Sequence, residues 1–188
     1  MVRIFILVVI LSSFFVIEIP GQTFSKEYWK EIAEDSDAVI IGTVEKRQQI
    51  IRPENFKPKP DGSNRDPKEF IVGELFQVRI TKRFKGKVIS VKKGDEKYLY
   101  IFDAGGNGLH DVGLRLIKGK EFVFFLKQNT DASKFVGLET IEYKPNSQNI
   151  RAGFEPKPIY TVVYGTRGIV QIKPDNNKLV KEIKEAID

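Results

Sequence analysis

Two runs of five residues, 98–102 and 122–126, are apolar at every position, and each has the length of a β-strand. A strand with one face in water alternates apolar and polar side chains, so these continuous runs predict strands that are covered on both faces. One face can line a barrel interior, while the other needs a helix or loop over it. The pattern therefore favours a closed or nearly closed antiparallel barrel over an open sheet with a wet face.

The rest of the chain predicts further strands and a helix at each end. Ser25 is a good N-cap for a short N-terminal helix, and Phe24 with Trp29 occupies the positions of a hydrophobic staple. The β-branched, apolar run 38–51 predicts a long first strand, and residues 76–84 alternate as a half-buried strand does. We expect the two terminal helices to cover the outer faces of the apolar strands. Short strands are predicted at 88–91, 134–143, 159–164 and 169–172, followed by a helix over 179–187.

Residues 1–21 are predicted to be a secretory signal peptide. Arg3 supplies the positive start, and the apolar run 4–17 is shorter than the roughly 20 residues that span a bilayer. The remaining residues, 22–188, have the length of one domain, in which the proline-rich and charged segment 52–68 is predicted to be a mobile loop. The expected location is extracytoplasmic, either periplasmic or secreted. The alternative is an uncleaved N-terminal membrane anchor.

The net charge of +6 is concentrated in residues 79–97, where basic side chains far outnumber acidic ones. In an exported chain this suggests an anionic envelope polymer, a membrane surface or an envelope protein as the partner, whereas nucleic acid is not expected. The alternative is that these cations only keep an exposed strand soluble and block edge-to-edge pairing. The candidate binding residues are Arg79, Lys82, Arg83, Lys85, Lys87, Lys92 and Lys93.

The glycine-rich loop between the two apolar runs contains the only histidine of the chain, His110. Together with Asp103 and Asp111 it could hold one metal ion, but the spacing matches no established metal motif. The loop also fails the dinucleotide-binding pattern, because Asp111 stands where the third glycine belongs. Gly-Gly and Asn-Gly are typical of a tight connection between strands. We therefore expect a structural turn with no catalytic residue and no cofactor, the alternative being a metal-dependent or hydrolytic enzyme that uses loop 103–111.

The order of strand and glycine motifs over residues 36–126, from SDAVIIGTV through RITKRFKG to GKEFVFFL, resembles exported bacterial domains. These domains are similar to the netrin-module and tissue-metalloproteinase-inhibitor group. The resemblance implies a mainly β, OB-like antiparallel barrel of about five to eight strands, with a short N-terminal and a C-terminal helix. The inhibitors of that group present an N-terminal cysteine to zinc, and this chain has no cysteine. The implied function is therefore that of an exported, non-enzymatic binding or accessory module.

Overall fold

The computed structural model describes residues 24–52, 71–104, 115–142, 150–154 and 158–188. The predicted signal peptide 1–21 lies outside the described residues, as does the predicted loop 52–68 apart from Arg52. Neither helix in the described part of the chain has the length and apolar character needed to cross a membrane. The helices and strands of these ranges are α1 (Lys26–Glu34), β1 (Ala38–Ile51), β2 (Ile71–Lys85), β3 (Val91–Lys93), β4 (Glu96–Asp103), β5 (Glu121–Asn129), β6 (Glu139–Glu142), β7 (Ile150–Gly153), β8 (Ile159–Val162), β9 (Ile169–Gln171) and α2 (Asn177–Ile187).

Five strands close into a barrel in the order β1–β2–β4–β8–β5, and β5 pairs back to β1. Four of these pairings are antiparallel, while β4 and β8 run parallel, with Tyr100 opposite Ile159 and Ile101 opposite Tyr160. A closed ring with an odd number of strands needs at least one parallel pair, since strand directions cannot alternate all the way round. The predicted mainly β, OB-like barrel with a helix at each end is confirmed, and this pair is its departure from a wholly antiparallel arrangement.

The barrel interior is filled mainly by inward-facing residues of the five strands, with Leu116 before β5 and Ile169 of β9 added to them. Phe76, Phe122, Phe124 and Tyr160 are its largest buried side chains. The smaller buried members of the cluster are Ile40, Val44, Val78, Leu99, Ile101, Leu116, Leu126 and Ile169. Burial of a Val, Leu, Ile or Phe side chain contributes about 1.5–3 kcal/mol, so this cluster is the main source of the barrel's stability.

The two helices cover the outer face of β1 and β5, as expected for the run 122–126. Trp29 of α1 stacks on Phe125 of β5 with ring centroids 5.7 Å apart, and Ile183 of α2 is buried in the same cluster. The predicted N-cap is confirmed, because the Ser25 hydroxyl accepts a hydrogen bond from the Tyr28 amide. The predicted staple is also present, since the Phe24 and Trp29 rings meet edge to face at 5.2 Å. One strand of the barrel is thereby apolar on both faces.

The outer face of β4 is covered by a different part of the chain, so the expectation that the terminal helices cover both apolar runs is wrong for 98–102. Tyr100 packs in a cluster with Phe135 and Leu138, which follow β5. The strand predicted at 134–143 is correspondingly shorter: Ala132–Phe135 forms a 3₁₀ turn, and β6 begins only at Glu139. The turn lets Phe135 fold back over the sheet, where its ring meets Phe102 at 5.1 Å.

The strand predicted at 88–91 is also wrong, because β3 begins only at Val91. Gly86 ends β2 with φ of +76°, and a Cβ at this position would lie 1.8 Å from the carbonyl oxygen of Asp37. The chain then contacts the barrel interior at two points: Val88 packs against the interior cluster, and the amide of Ile89 donates a 2.8 Å hydrogen bond to the Tyr160 hydroxyl. Residues 87–90, called the plug below, are therefore held by these contacts rather than by pairing as a sheet strand.

Candidate anion-binding cleft

Lys85, one of the predicted binding residues, serves the fold. Its ammonium donates hydrogen bonds to the main-chain oxygen of Ala33 and to that of Ser36, the latter at 3.2 Å. The Ala33 carbonyl lies in the last turn of α1 and the Ser36 carbonyl lies two residues beyond the helix, at the end where the helix dipole favours a cation. Lys85 thus joins α1 to the end of β2, and it does not line the cleft described below.

Arg79 is paired with two acidic side chains. Its Nε donates to Glu45 Oε1 at 2.8 Å and lies 3.6 Å from Glu96 Oε1. The hydrogen bond to Glu45 raises the pKa of the Arg79 guanidinium above its usual range. Glu96 in turn accepts a hydrogen bond from the Tyr98 hydroxyl, which raises the pKa of that phenol. Two carboxylates therefore offset the charge of Arg79.

Three cations of the basic stretch line a single cleft of about 320 Å³. Lys82 and Arg83 come from β2 and Lys97 from β4, and Ile80 with Val88 of the plug supplies apolar lining. Lys82 also lies 5.3 Å from the ring centroid of Phe84. The hydroxyl residues of the lining are Thr81 and Ser90.

No carboxylate belongs to the described lining of the cleft, so its formal charge is positive. One lining residue contacts a carboxylate: the Thr81 hydroxyl donates to Glu121 Oε1 at 2.7 Å and lies 3.2 Å from the carbonyl oxygen of Ile41. Three cations around a small concavity with hydroxyl groups can bind phosphate or carboxylate oxygens, with Arg83 able to do so through two parallel hydrogen bonds. The charge of the described lining is therefore complementary to an anionic ligand.

The remaining predicted cations stand outside this lining. Lys87 lies in the plug segment, and Lys92 and Lys93 lie on β3, all three exposed. Lys93 extends over the Tyr98 ring at 5.5 Å from its centroid. These residues can add to the electrostatic field around the cleft without lining it.

Lys97 and the two hydroxyl residues of the cleft were missed as site residues. Lys97 belongs to the basic stretch, but it has no distinguishing neighbour in sequence, and Thr81 and Ser90 carry no charge that marks them. They come together because β2 and β4 pair as neighbours and the plug folds back beside them. The one partial signal in the sequence is the alternation of residues 76–84, which places Thr81 and Arg83 on the same polar face of the strand.

The predicted metal site at loop 103–111 has one residue within the described part of the chain. Asp103 ends β4, is half-buried and engages other groups. His110 and Asp111 lie outside the described residues. Elsewhere in the described ranges no three acidic or histidine side chains gather in a way that could hold a metal ion. The enzymatic alternative based on this loop stays a prediction.

No protein-family model matches the chain, and no curated protein is significantly similar to it. The likeness to netrin-type domains accordingly stays a hypothesis drawn from motif order.

Proposed function

We propose that this protein is an exported, non-enzymatic binding module that binds an anionic polymer of the cell envelope through the cleft between β2, the plug 87–90 and β4. The observation that carries the proposal is the convergence of Lys82, Arg83 and Lys97 on one concavity whose described lining includes no carboxylate. The export step is supported by the apolar run 4–17 near the N-terminus.

A polymer fits the cleft better than a flat membrane surface does. The three cations line a concave space rather than a protruding tip, so a linear chain of phosphate or carboxylate groups can enter between them. Ser90 adds a hydroxyl group that can donate a hydrogen bond to a sugar or phosphate oxygen, whereas the Thr81 hydroxyl already donates to Glu121. The described lining offers no imidazole or carboxylate to activate a nucleophile, which favours binding over catalysis.

The test is titration of the full chain with inorganic polyphosphate and with a polyuronate, compared with a Lys82→Ala/Arg83→Ala/Lys97→Ala variant. If each cation contributes about 1 kcal/mol near an anionic surface, the triple variant should bind roughly 100-fold more weakly. Binding should also fall steeply with salt, because screening shortens from about 10 Å at 0.1 M to about 3 Å at 1 M.

The matched control is Lys26→Ala/Lys118→Ala/Lys127→Ala, which removes the same charge from exposed positions outside the cleft. It should lose only the small part of the affinity that depends on net charge. Equal losses in the two triple variants would contradict a specific cleft. Tighter binding to anionic vesicles than to either polymer would replace the polymer with a membrane surface and refute the proposal.

A further inference from the structure

A second concavity, of about 530 Å³, shares no lining residue with the cleft. Its walls come from both helices and from the sheet: Trp29 of α1, Phe122 of β5, Val170 of β9 and Leu179 of α2. Phe122 belongs to the barrel interior, whereas Trp29 belongs to the helix-covered outer cluster. The groove therefore lies where the two hydrophobic clusters meet. Its volume falls within the range of about 300–1,000 Å³ typical of small-molecule sites.

The lining is mostly apolar, with two cations and the polar side chain of Gln171. Arg115 precedes the buried Leu116, and Lys173 follows β9, and both are exposed. Neither forms an ion pair with another described residue, and the described lining includes no aspartate or glutamate. An apolar trough with an unbalanced positive charge is complementary to a molecule that has an apolar tail and an anionic head group.

Trp29, which lines the groove, has a buried polar group without a partner among the described residues. Its side chain is only 1% exposed, yet its indole Nε1–H has no hydrogen-bond partner among the described residues. A buried donor without a partner costs about 1–3 kcal/mol, and an oxygen atom of a bound molecule is one way to satisfy it. Ile117 also lines the groove, and this residue is 52% exposed. The groove therefore presents apolar surface to solvent.

We propose that this groove binds a single-chain amphiphile with a carboxylate head, such as a fatty acid. The tail packs against Phe122, Val170 and Leu179, and the carboxylate pairs with Arg115 and Lys173. A single chain is specified because the cavity has the size of a small-molecule site. This site is independent of the proposed polymer cleft, since no lining residue is common to the two.

Trp29 is the only tryptophan in the chain, so its fluorescence reports directly on this groove. We expect dodecanoate, added to the full chain below its micelle concentration, to give a saturable change in Trp29 emission. Dodecyl maltoside should bind more weakly, and dodecyltrimethylammonium should not bind. The Arg115→Gln/Lys173→Gln variant should lose about tenfold or more in affinity for dodecanoate, as expected for charge-assisted contacts, and should bind the maltoside unchanged.

A matched pair of substitutions tests the location. Ile117→Asp introduces a carboxylate into the groove lining, whereas Ile89→Asp introduces the same group at an isoleucine that is 51% exposed and lies outside the groove. Only Ile117→Asp should abolish the response to dodecanoate. If Ile117→Asp fails to fold, the glutamine pair decides alone.

The proposal is overturned if dodecanoate causes no saturable change in emission. It is equally overturned if the cationic detergent binds as well as dodecanoate, or if both aspartate variants behave alike. Binding to anionic phospholipid vesicles without binding to monomeric dodecanoate would also refute it. The polymer-cleft triple variant should retain the dodecanoate response, so the two proposals can fail separately.

Discussion

At the scale of single residues, the cations of the basic stretch 79–97 differ in what they contact. Lys85 donates to two main-chain carbonyls at the end of α1, Arg79 meets two carboxylates, and Lys82 lines an open cleft. Exposed ion pairs contribute little to stability, whereas a cation that satisfies helix-end carbonyls contributes both hydrogen bonds and a favourable interaction with the dipole. The residue type alone therefore does not say which lysine binds a partner.

Lys85→Met should lower the free energy of unfolding by about 1.5–3 kcal/mol, because it removes two hydrogen bonds from a charged donor and keeps most of the aliphatic stem. Urea denaturation measures the loss. Lys87→Met is the matched control, since this exposed lysine lies two residues further along and should change stability by less than about 0.5 kcal/mol. Equal effects of the two substitutions would refute the structural role of Lys85.

At the scale of elements, β5 is buried on both faces and belongs to two separate clusters. Phe124 lies in the barrel interior, and Phe125 lies against the helices, where it stacks on Trp29. Both side chains are fully buried. Substitution of either should therefore be costly, but through different neighbours.

Phe124→Ala and Phe125→Ala should each lower the free energy of unfolding by about 3–5 kcal/mol, as large-to-small core substitutions do. Only Phe125→Ala should markedly change the native emission of Trp29, because only that ring is its stacking partner. Lys127→Ala, on the same strand but exposed, serves as the control in urea unfolding. A loss below about 1 kcal/mol for either phenylalanine would show that its face of β5 is not core.

At the scale of the whole molecule, the barrel closes through the short parallel pairing of β4 with β8, and Tyr160 of β8 also anchors the plug. Burial raises the pKa of Tyr160, and it does the same for Tyr28 in the helix layer. A phenol with a raised folded-state pKa keeps its proton where the unfolded chain has already released it. These two groups therefore give the free energy of unfolding no pH dependence below the unfolded-state pKa of about 10. Above that pH the free energy of unfolding falls.

The free energy of unfolding should decrease above about pH 10, by up to about 1.4 kcal/mol per pH unit for each such tyrosine. Urea unfolding as a function of pH, combined with phenolate absorbance, measures this dependence. Tyr160→Phe should make the alkaline slope shallower and should cost about 0.5–1.5 kcal/mol at neutral pH, because the Ile89 amide loses its acceptor. An unchanged alkaline slope in that variant would rule out Tyr160 as a contributor.

Local pattern was enough to determine the type of most elements. The β-branched run at 38–51 coincides with β1, Ser25 caps α1, and the apolar runs became strands with two covered faces. These features depend on side-chain periodicity and capping chemistry, which act over a few residues. Such signals do not require knowledge of the partner strand.

The tertiary structure alone decided where each element meets its neighbour. It placed Phe135 over β4, held residues 88–90 against the barrel interior and Tyr160 instead of in the sheet, and assigned Lys85 to the end of α1. It also formed the two candidate sites, one from β2, β4 and the plug, the other from both helices and two strands. These contacts depend on the register of strand pairing and on closure of the barrel, which involve segments that are far apart in the chain. The sequence by itself therefore determined a barrel with a helix at each end, and only the closed structure decided which of its cations face a cleft.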